Sequence, residues 1–355
     1  MFKGIDFYSD TMTKPTVEMK NAMLNAEVGD EQKGEDPTTL ALEEMVAQMF
    51  GFETALFLPS STMCNQIALK LHTEPGDELL AADNCHLFFA EAGGPAVHSA
   101  LMAKPIFTTN GIFSGEDVLK TYRKIRGPHY PVSKLVSIEN TTNMGGGVAW
   151  ELESIREVLN VSKELGLKTH LDGSRLFNAV VKTSTPVKEI VKDFDTVTLC
   201  LSKGLGCPMG ALLAFPKKHF EKVRRLKQLF GGSMRQSGIV AAAGIYALQN
   251  NINRLAEDHA NATLLARKIH EELPLLKIET TNPSTNMVFF SWTGQKMSPT
   301  QFNELCIANG IRFSPVGENR FRAVTHLNIS KEDVERAVKL LKHVLLHDAP
   351  IAKYE

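Results

Sequence analysis

The stretch LCLSKGLGCPMGALLAFP, residues 199–216, decides the fold. The apolar run TVTLCL (196–201) reads as a strand, and Lys203 follows it among Gly204, Gly206 and Gly210. A dinucleotide-binding turn needs a helix after its glycines, because the pyrophosphate rests on that helix's N-terminus. Here Pro208 and Gly210 lead into ALLAFP (211–216), a second apolar strand. The segment is strand, lysine loop, strand, and the nicotinamide reading falls away. A lysine buried at the lip of a sheet is costly unless it is neutralised or used. Desolvation lowers its pKa and makes it a nucleophile toward a carbonyl. Taken alone, an ordinary turn lysine is the simpler reading.

Working outward, short apolar strands alternate with helices. ALFLP (55–59), ELLAAD (78–83), KLVSIEN (134–140) and KTHLD (168–172) read as strands. Helices are predicted over 16–26 with Thr16 as N-cap, over 38–51 with a threonine cap and a glycine stop, from Ser61 onward, and over 151–165. Such alternation predicts βαβ units around a mostly parallel sheet, with functional loops at the carboxyl ends of the strands. From about residue 250 the pattern changes to a long helix (253–272), the strands LKIET, MVFFSW, IRFSPV and FRAVTH, and helices over 298–309 and 330–346. The expected division is an arm (1–15), a large α/β domain (16–250) and a smaller α+β domain (251–355).

The chain has 355 residues, 43% of them hydrophobic and 22% charged, with a formal net charge of −1. That balance gives no electrostatic reason to expect nucleic acid or an anionic membrane as partner. The one basic stretch, KKHFEKVRRLK (217–227), has its charges at helical spacing beside Phe220, Val223 and Leu226, so it reads as a solvated helix face. Five scattered cysteines without a CxxC pair argue against a disulfide framework or a structural zinc, and no metal is expected. With no apolar signal region and no stretch long enough to span a bilayer, the expected location is cytoplasmic.

Three further clusters change the odds for Lys203. Asp172 ends an apolar strand and is followed by GSRLFNA; alone it is a helix N-cap, but beside an amine it suits a pyridinium nitrogen. LPSSTMCNQ (58–66) puts Ser60, Ser61 and Thr62 at the turn into a helix, where an anion binds well. NCHLFFAEAGGP (84–95) places His86 just after a strand, where an imidazole can stack on a cofactor ring. Alone, such a histidine is more often structural.

These motifs carry a resemblance. YSDTMTKPT (8–16), VGDEQKGEDPT, PSSTMCNQIAL, HLFFAEAGGP, ENTTN, HLDGSRLFNA, SKGLGCPMG, GGSMRQSG and FRAVTHLNIS (321–330) are similar to those of the threonine aldolase branch of the β-eliminating lyases. Those are enzymes of pyridoxal 5′-phosphate (PLP) with the aspartate-aminotransferase-like fold (fold type I), and the resemblance covers nearly the whole chain. It implies that Lys203 holds the PLP aldehyde covalently, that Asp172 pairs with the pyridine nitrogen, that Ser61 and Thr62 hold the phosphate, and that His86 stacks on the ring. It implies that Arg175 and Arg322, with Ser9, clamp the substrate carboxylate, a task that suits the guanidinium fork. Arg235 is implied near the phosphate, from the same or a neighbouring subunit, and His129 near the substrate side chain.

The implied reaction is retro-aldol cleavage of L-threonine, L-allo-threonine or a related β-hydroxy-α-amino acid to glycine and an aldehyde. His86 or His129 is the base, and the sequence does not choose between them. The implied assembly is a homodimer or homotetramer with shared active sites. This chain departs from the family pattern at Lys33, Ser61, Ala90, Thr142 and Gln228, mostly on the side-chain side of the proposed site, so a shifted substrate preference is expected. The competing readings are another PLP reaction on the same scaffold (β-elimination, racemisation or transamination) and a PLP-binding protein with little catalysis.

Overall fold

β-Branched and aliphatic runs bounded by glycine, proline and acidic turn residues become strands, and their order places the site. The computed structural model describes residues 2–347. The arm contributes β1 (Ile5–Asp6). A seven-stranded sheet follows, with β2 (Thr54–Leu58), β3 (Glu78–Ala82), β4 (Met102–Ile106), β5 (Ser133–Glu139), β6 (Lys168–Gly173), β7 (Thr196–Cys200) and β8 (Ala211–Phe215). The remaining strands are β9 (Leu276–Ile278), β10 (Met287–Trp292), β11 (Ile311–Arg312), β12 (Ser314–Pro315) and β13 (Arg320–Val324).

The chain divides into two units, one spanning Pro15–Ile252 and the other joining the residues up to Lys14 with those from Asn253 onward. In the first, the sheet order is β2-β8-β7-β6-β5-β3-β4. The strands β3 to β7 run parallel to one another, and β8 is antiparallel to both β7 and β2. Strands β3, β7 and β8 are buried along their whole length, as expected where helices cover both faces of a sheet. One such helix, Ser61–His72, turns Cys64, Ile67, Ala68 and Leu71 onto Leu58 of β2 and Leu213 of β8. That helical repeat of apolar positions fixes where its N-terminal turn points.

Several sequence expectations sharpen. Thr16 does cap its helix (Val17–Leu24), its hydroxyl accepting from the Met19 amide at 3.2 Å. The next helix begins earlier than expected, at Pro37–Phe50, because Asp36 rather than a threonine is the cap, accepting from the Thr39 amide at 2.8 Å. The edge strand β4 was not legible: MAKPI contains a proline and is mostly exposed, which is how a strand reads only at a sheet edge.

The second unit is built on an antiparallel sheet in the order β12-β13-β10-β9, with the helices Leu255–Glu272 and Lys331–His347 among its elements. The arm belongs here. β1 pairs in parallel with β11, and Ile5 and Phe7 join a core with Phe290, Phe302, Phe313 and Phe321.

The lysine loop is held at both ends of the hairpin-like crossing from β7 to β8. The Leu201 amide donates to the Gly210 carbonyl and the Cys207 amide to the Leu201 carbonyl, at 3.1 and 3.2 Å. Gly210 has φ +104°, and a Cβ built there would lie 2.6 Å from the Phe57 ring. Gly210→Ala is therefore expected to lower stability by about 2–4 kcal/mol, read as a shift in the urea midpoint.

Candidate active site

Lys203, Asp172, Glu139 and His86 stand at or just beyond the carboxyl ends of β7, β6, β5 and β3, four consecutive strands of the sheet. Parallel strands deliver their C-terminal residues to one edge, which is why positions spread over 117 residues converge (203 − 86). Lys203 is half-buried rather than enclosed. Asp172 is 1% exposed. It is not a helix cap: the following helix, Leu176–Thr183, starts from Arg175, and Asp172 spends its oxygens elsewhere. Oδ1 accepts from the Ser174 amide at 3.0 Å, and Oδ2 accepts from the Asn65 side chain at 2.9 Å.

Electrostatics separate the two buried carboxyls. Burial pushes Asp172 up, but the charges of His86 and Lys203, the Ser174 bond and His170 outweigh it and hold the carboxyl below its ordinary range. Glu139 goes the other way, to about 7, through burial and the negative charge of Asp172 on the adjacent strand. Its oxygens accept from the His86 and Asn143 amides at 3.3 and 3.0 Å. His86 is itself desolvated, yet its Nδ1 lies 2.8 Å from Glu91 Oε1, and that bond with the Asp172 charge raises its pKa. With Nδ1 committed to Glu91, Nε2 is the nitrogen His86 can present.

A group whose folded pKa lies above its unfolded value lends stability below the unfolded pKa and loses it as pH rises through the folded one. For Glu139 that window runs from its ordinary 4.5 to about 7. Urea titrations across this range are expected to show the wild type losing stability with rising pH and Glu139→Gln losing less. The slope is diagnostic rather than the midpoint, because the new amide faces two backbone N–H groups.

The helix Ser61–His72 is capped by Ser60, whose hydroxyl accepts from the Met63 amide at 3.2 Å. Capping thus accounts for Ser60, leaving the Ser61 and Thr62 side chains at the helix start. This turn adjoins the lysine loop, since the Gly210 amide donates to the Pro59 carbonyl at 3.2 Å. Arg175 is buried two residues beyond the end of β6. Ser9 and Arg322 lie in the other unit, where Arg322 Nη2 donates to the carbonyl of Tyr8, next to Ser9, at 3.4 Å.

Two expected site residues are placed differently. His129 sits in an exposed loop that feeds the amino end of β5, whereas Glu139 and Asp172 stand at the carboxyl ends, so within one chain the fold separates His129 from Lys203. Arg235 is exposed and paired with Asp30 at 3.0 Å, although its segment runs beside the helix start, Gly232 lying against Met63. Of the departures, Ala90 accompanies His86, its amide donating to the His86 carbonyl at 2.8 Å. Thr142 is buried against Gly111. Gln228 lines a cavity of about 470 Å³ together with Gln32 and Gly34, the neighbours of Lys33.

Sequence reasoning missed Asn65, Glu91, Glu139 and His170. Glu139 carried the same signal as Asp172, an acid closing an apolar strand. For Asn65 no local signal exists, because its carboxylate partners lie 26 and 107 residues away, and for Glu91 nothing in the sequence marks its pairing with His86 five residues earlier.

Comparison with known proteins settles the family. The model of the beta-eliminating lyase family matches residues 6–293. The chain belongs to the beta-eliminating lyase family. A low-specificity L-threonine aldolase of Escherichia coli K12 is 39% identical over 93% of this chain and 96% of its own length. Low-specificity L-threonine aldolase 1 of Arabidopsis thaliana is 35% identical over 98% of both chains. In three dimensions the Leishmania major threonine aldolase superposes with a TM-score of 0.80 at 20% identity, covering 96% of this chain and 99% of its own. A Sphingomonas wittichii serine palmitoyltransferase superposes with a TM-score of 0.75 at 16% identity, covering 96% and 86%. The fold is thus the α/β fold type I expected from the lysine loop outward.

Proposed function

We propose that this lyase-family chain uses PLP, held through Lys203, to cleave L-threonine, L-allo-threonine or a close β-hydroxy-α-amino acid into glycine and an aldehyde. The observation that carries the reading is the buried, ionised Asp172 on the strand beside the half-buried amine of Lys203. The donor set fits the cofactor: an amine for its aldehyde, a buried anion for its ring nitrogen, a helix start with two hydroxyls for its phosphate, and an imidazole for its ring face. When bound, PLP supplies an electron-poor ring that accepts the electron pair released at Cα.

The chain's own groups divide the remaining tasks. Asp172 keeps a proton on the pyridine nitrogen. Ser61, Thr62 and the first amides of their helix hold the phosphate. His86, steadied through Nδ1 by Glu91, presents Nε2 to take the β-hydroxyl proton, directly or through water. Arg175, together with Arg322 and Ser9, offers the guanidinium and hydroxyl donors that suit an amino-acid carboxylate. Arg235 and His129 serve, in this reading, from a neighbouring copy in a homodimer or homotetramer, which is consistent with their exposure. The relatives named above are themselves threonine aldolases, which supports the substrate class.

Five buried free thiols favour a reducing, cytoplasmic setting, and among the described residues no helix is long and apolar enough to cross a membrane.

Borohydride reduction of the purified protein followed by peptide mapping tests the core of this. A pyridoxyl group on Lys203 is expected; a group elsewhere, or none, overturns the reading. Product analysis over a panel of β-hydroxy amino acids then tests the reaction, since only retro-aldol cleavage yields glycine and an aldehyde. Threonine and allo-threonine ranking as the best substrates would refute the shifted preference expected from Ala90, Thr142 and the other departures.

A further inference from the structure

Behind Asp172 runs a buried chain of hydrogen bonds whose direction can be worked out atom by atom. Asn65 Nδ2 lies 2.8 Å from Glu91 Oε1 and 2.9 Å from Asp172 Oδ2, so both amide hydrogens are given to carboxylates. The amide oxygen must then accept. It receives the Thr198 hydroxyl at 2.9 Å and faces His170 Nε2 at 3.1 Å, so that nitrogen carries a hydrogen. His170 is fully enclosed, and burial holds it neutral, with its pKa pushed down to about 4. Its Nδ1 is therefore bare and accepts the Thr196 hydroxyl at 2.9 Å. Having donated its only hydrogen, Thr196 Oγ1 accepts from His72 Nε2 at 3.2 Å. Burial holds His72 neutral too. Every donor in the series, His72, Thr196, His170 and Asn65, thus points its hydrogen toward Asp172.

We infer that Asn65, oriented by the one-way chain through His170 and Thr196 to His72, is a positioning residue that holds Asp172 anionic toward the cofactor ring. A chain of aligned donors polarises cooperatively, and a buried anion gains most from donors fixed in advance. Asn65 is the branch point because one amide aligns Asp172 and also Glu91, which in turn holds His86. The inference rests on the reading of Asp172 as the partner of the pyridine nitrogen.

The test is a pH titration of the visible absorbance of the PLP-loaded protein. The titrating centre is the imine nitrogen formed at Lys203. The charged and titratable groups around Asp172 are Lys203, His86, Glu139, Glu91, His170 and the buried thiols of Cys64 and Cys85. Weakening the Asp172 anion weakens protonation of the ring nitrogen, leaves the ring less electron-withdrawing and makes the imine more basic. Asn65→Leu is therefore expected to move the midpoint up by about one pH unit, the equivalent of one hydrogen bond to a charged group. His170→Gln, which retains an N–H for the Asn65 oxygen, is expected to stay closer to wild type than His170→Leu. That contrast separates orientation from packing. If Asn65→Leu fails to fold or load, Thr196→Val decides, with a smaller shift in the same direction. A loaded Asn65→Leu protein, or Thr196→Val in its place, that titrates as wild type overturns the inference and leaves the proposed function standing. A wild type that forms no chromophore at Lys203 overturns the proposed function itself.

Discussion

Lys203→Ala is expected to lose activity by about 10⁴-fold or more and to yield no pyridoxyl peptide after borohydride reduction. No other described side chain replaces it: the loop that presents the amine is pinned between β7 and β8, and the neighbouring groups on that edge are carboxyls and an imidazole. The same change should be felt without any cofactor. Lys203 is one of the cations that lower Asp172 and Glu139, so its removal leaves two buried carboxyls with less positive charge nearby. The apo variant is expected to be less stable than the wild type at neutral pH and to recover part of the difference as the pH falls and Glu139 takes up its proton. Chemical denaturation at two pH values checks this.

Asp172→Asn is the second large effect. It keeps the shape of the side chain and removes the charge that would hold the ring nitrogen protonated. A fall in kcat of roughly 10²–10⁴-fold, about 3–5 kcal/mol, is expected. Substrate binding should change less, since the carboxylate-binding groups are untouched. A second consequence is independent of catalysis. The Asp172 charge helps raise Glu139, so in the variant Glu139 should titrate below about 7, and the loss of stability with rising pH should be smaller and end at lower pH. Unchanged kcat with an altered pH slope would place Asp172 beside the chemistry but outside it.

How much of the fold and site is legible in the sequence depends on whether a feature is local. The strand–lysine–strand reading of 199–216 needs only the apolar run after Gly210, and that run alone excludes the wrong cofactor class. Asp172 and Lys203 stand out because each closes an apolar strand, a pattern visible within ten residues. Glu139 has that pattern and opens the ENTTN motif, but nothing in the motif assigns the glutamate a role. His129 illustrates the opposite case: only the family resemblance points to it, and chain topology places it at the amino end of β5, away from the carboxyl ends. The Asn65 network is beyond reach because orientation of an amide is set by atoms 26 to 133 residues away.

The pairing of β1 with β11 carries a consequence for how the polypeptide acquires its shape. Asp6 and Arg312 form an ion pair across 306 positions, and Phe7 stacks on Phe313 with ring centroids 5.7 Å apart. The arm thus belongs to the unit that is completed last. The larger unit, contiguous from Pro15 to Ile252, can close while the arm is still waiting. Such long sequence separation slows assembly, because the ends of a long loop must meet before any contact rewards them. Until they do, Ile5 and Phe7 lack the core that buries them in the folded unit, leaving apolar surface open to aggregation.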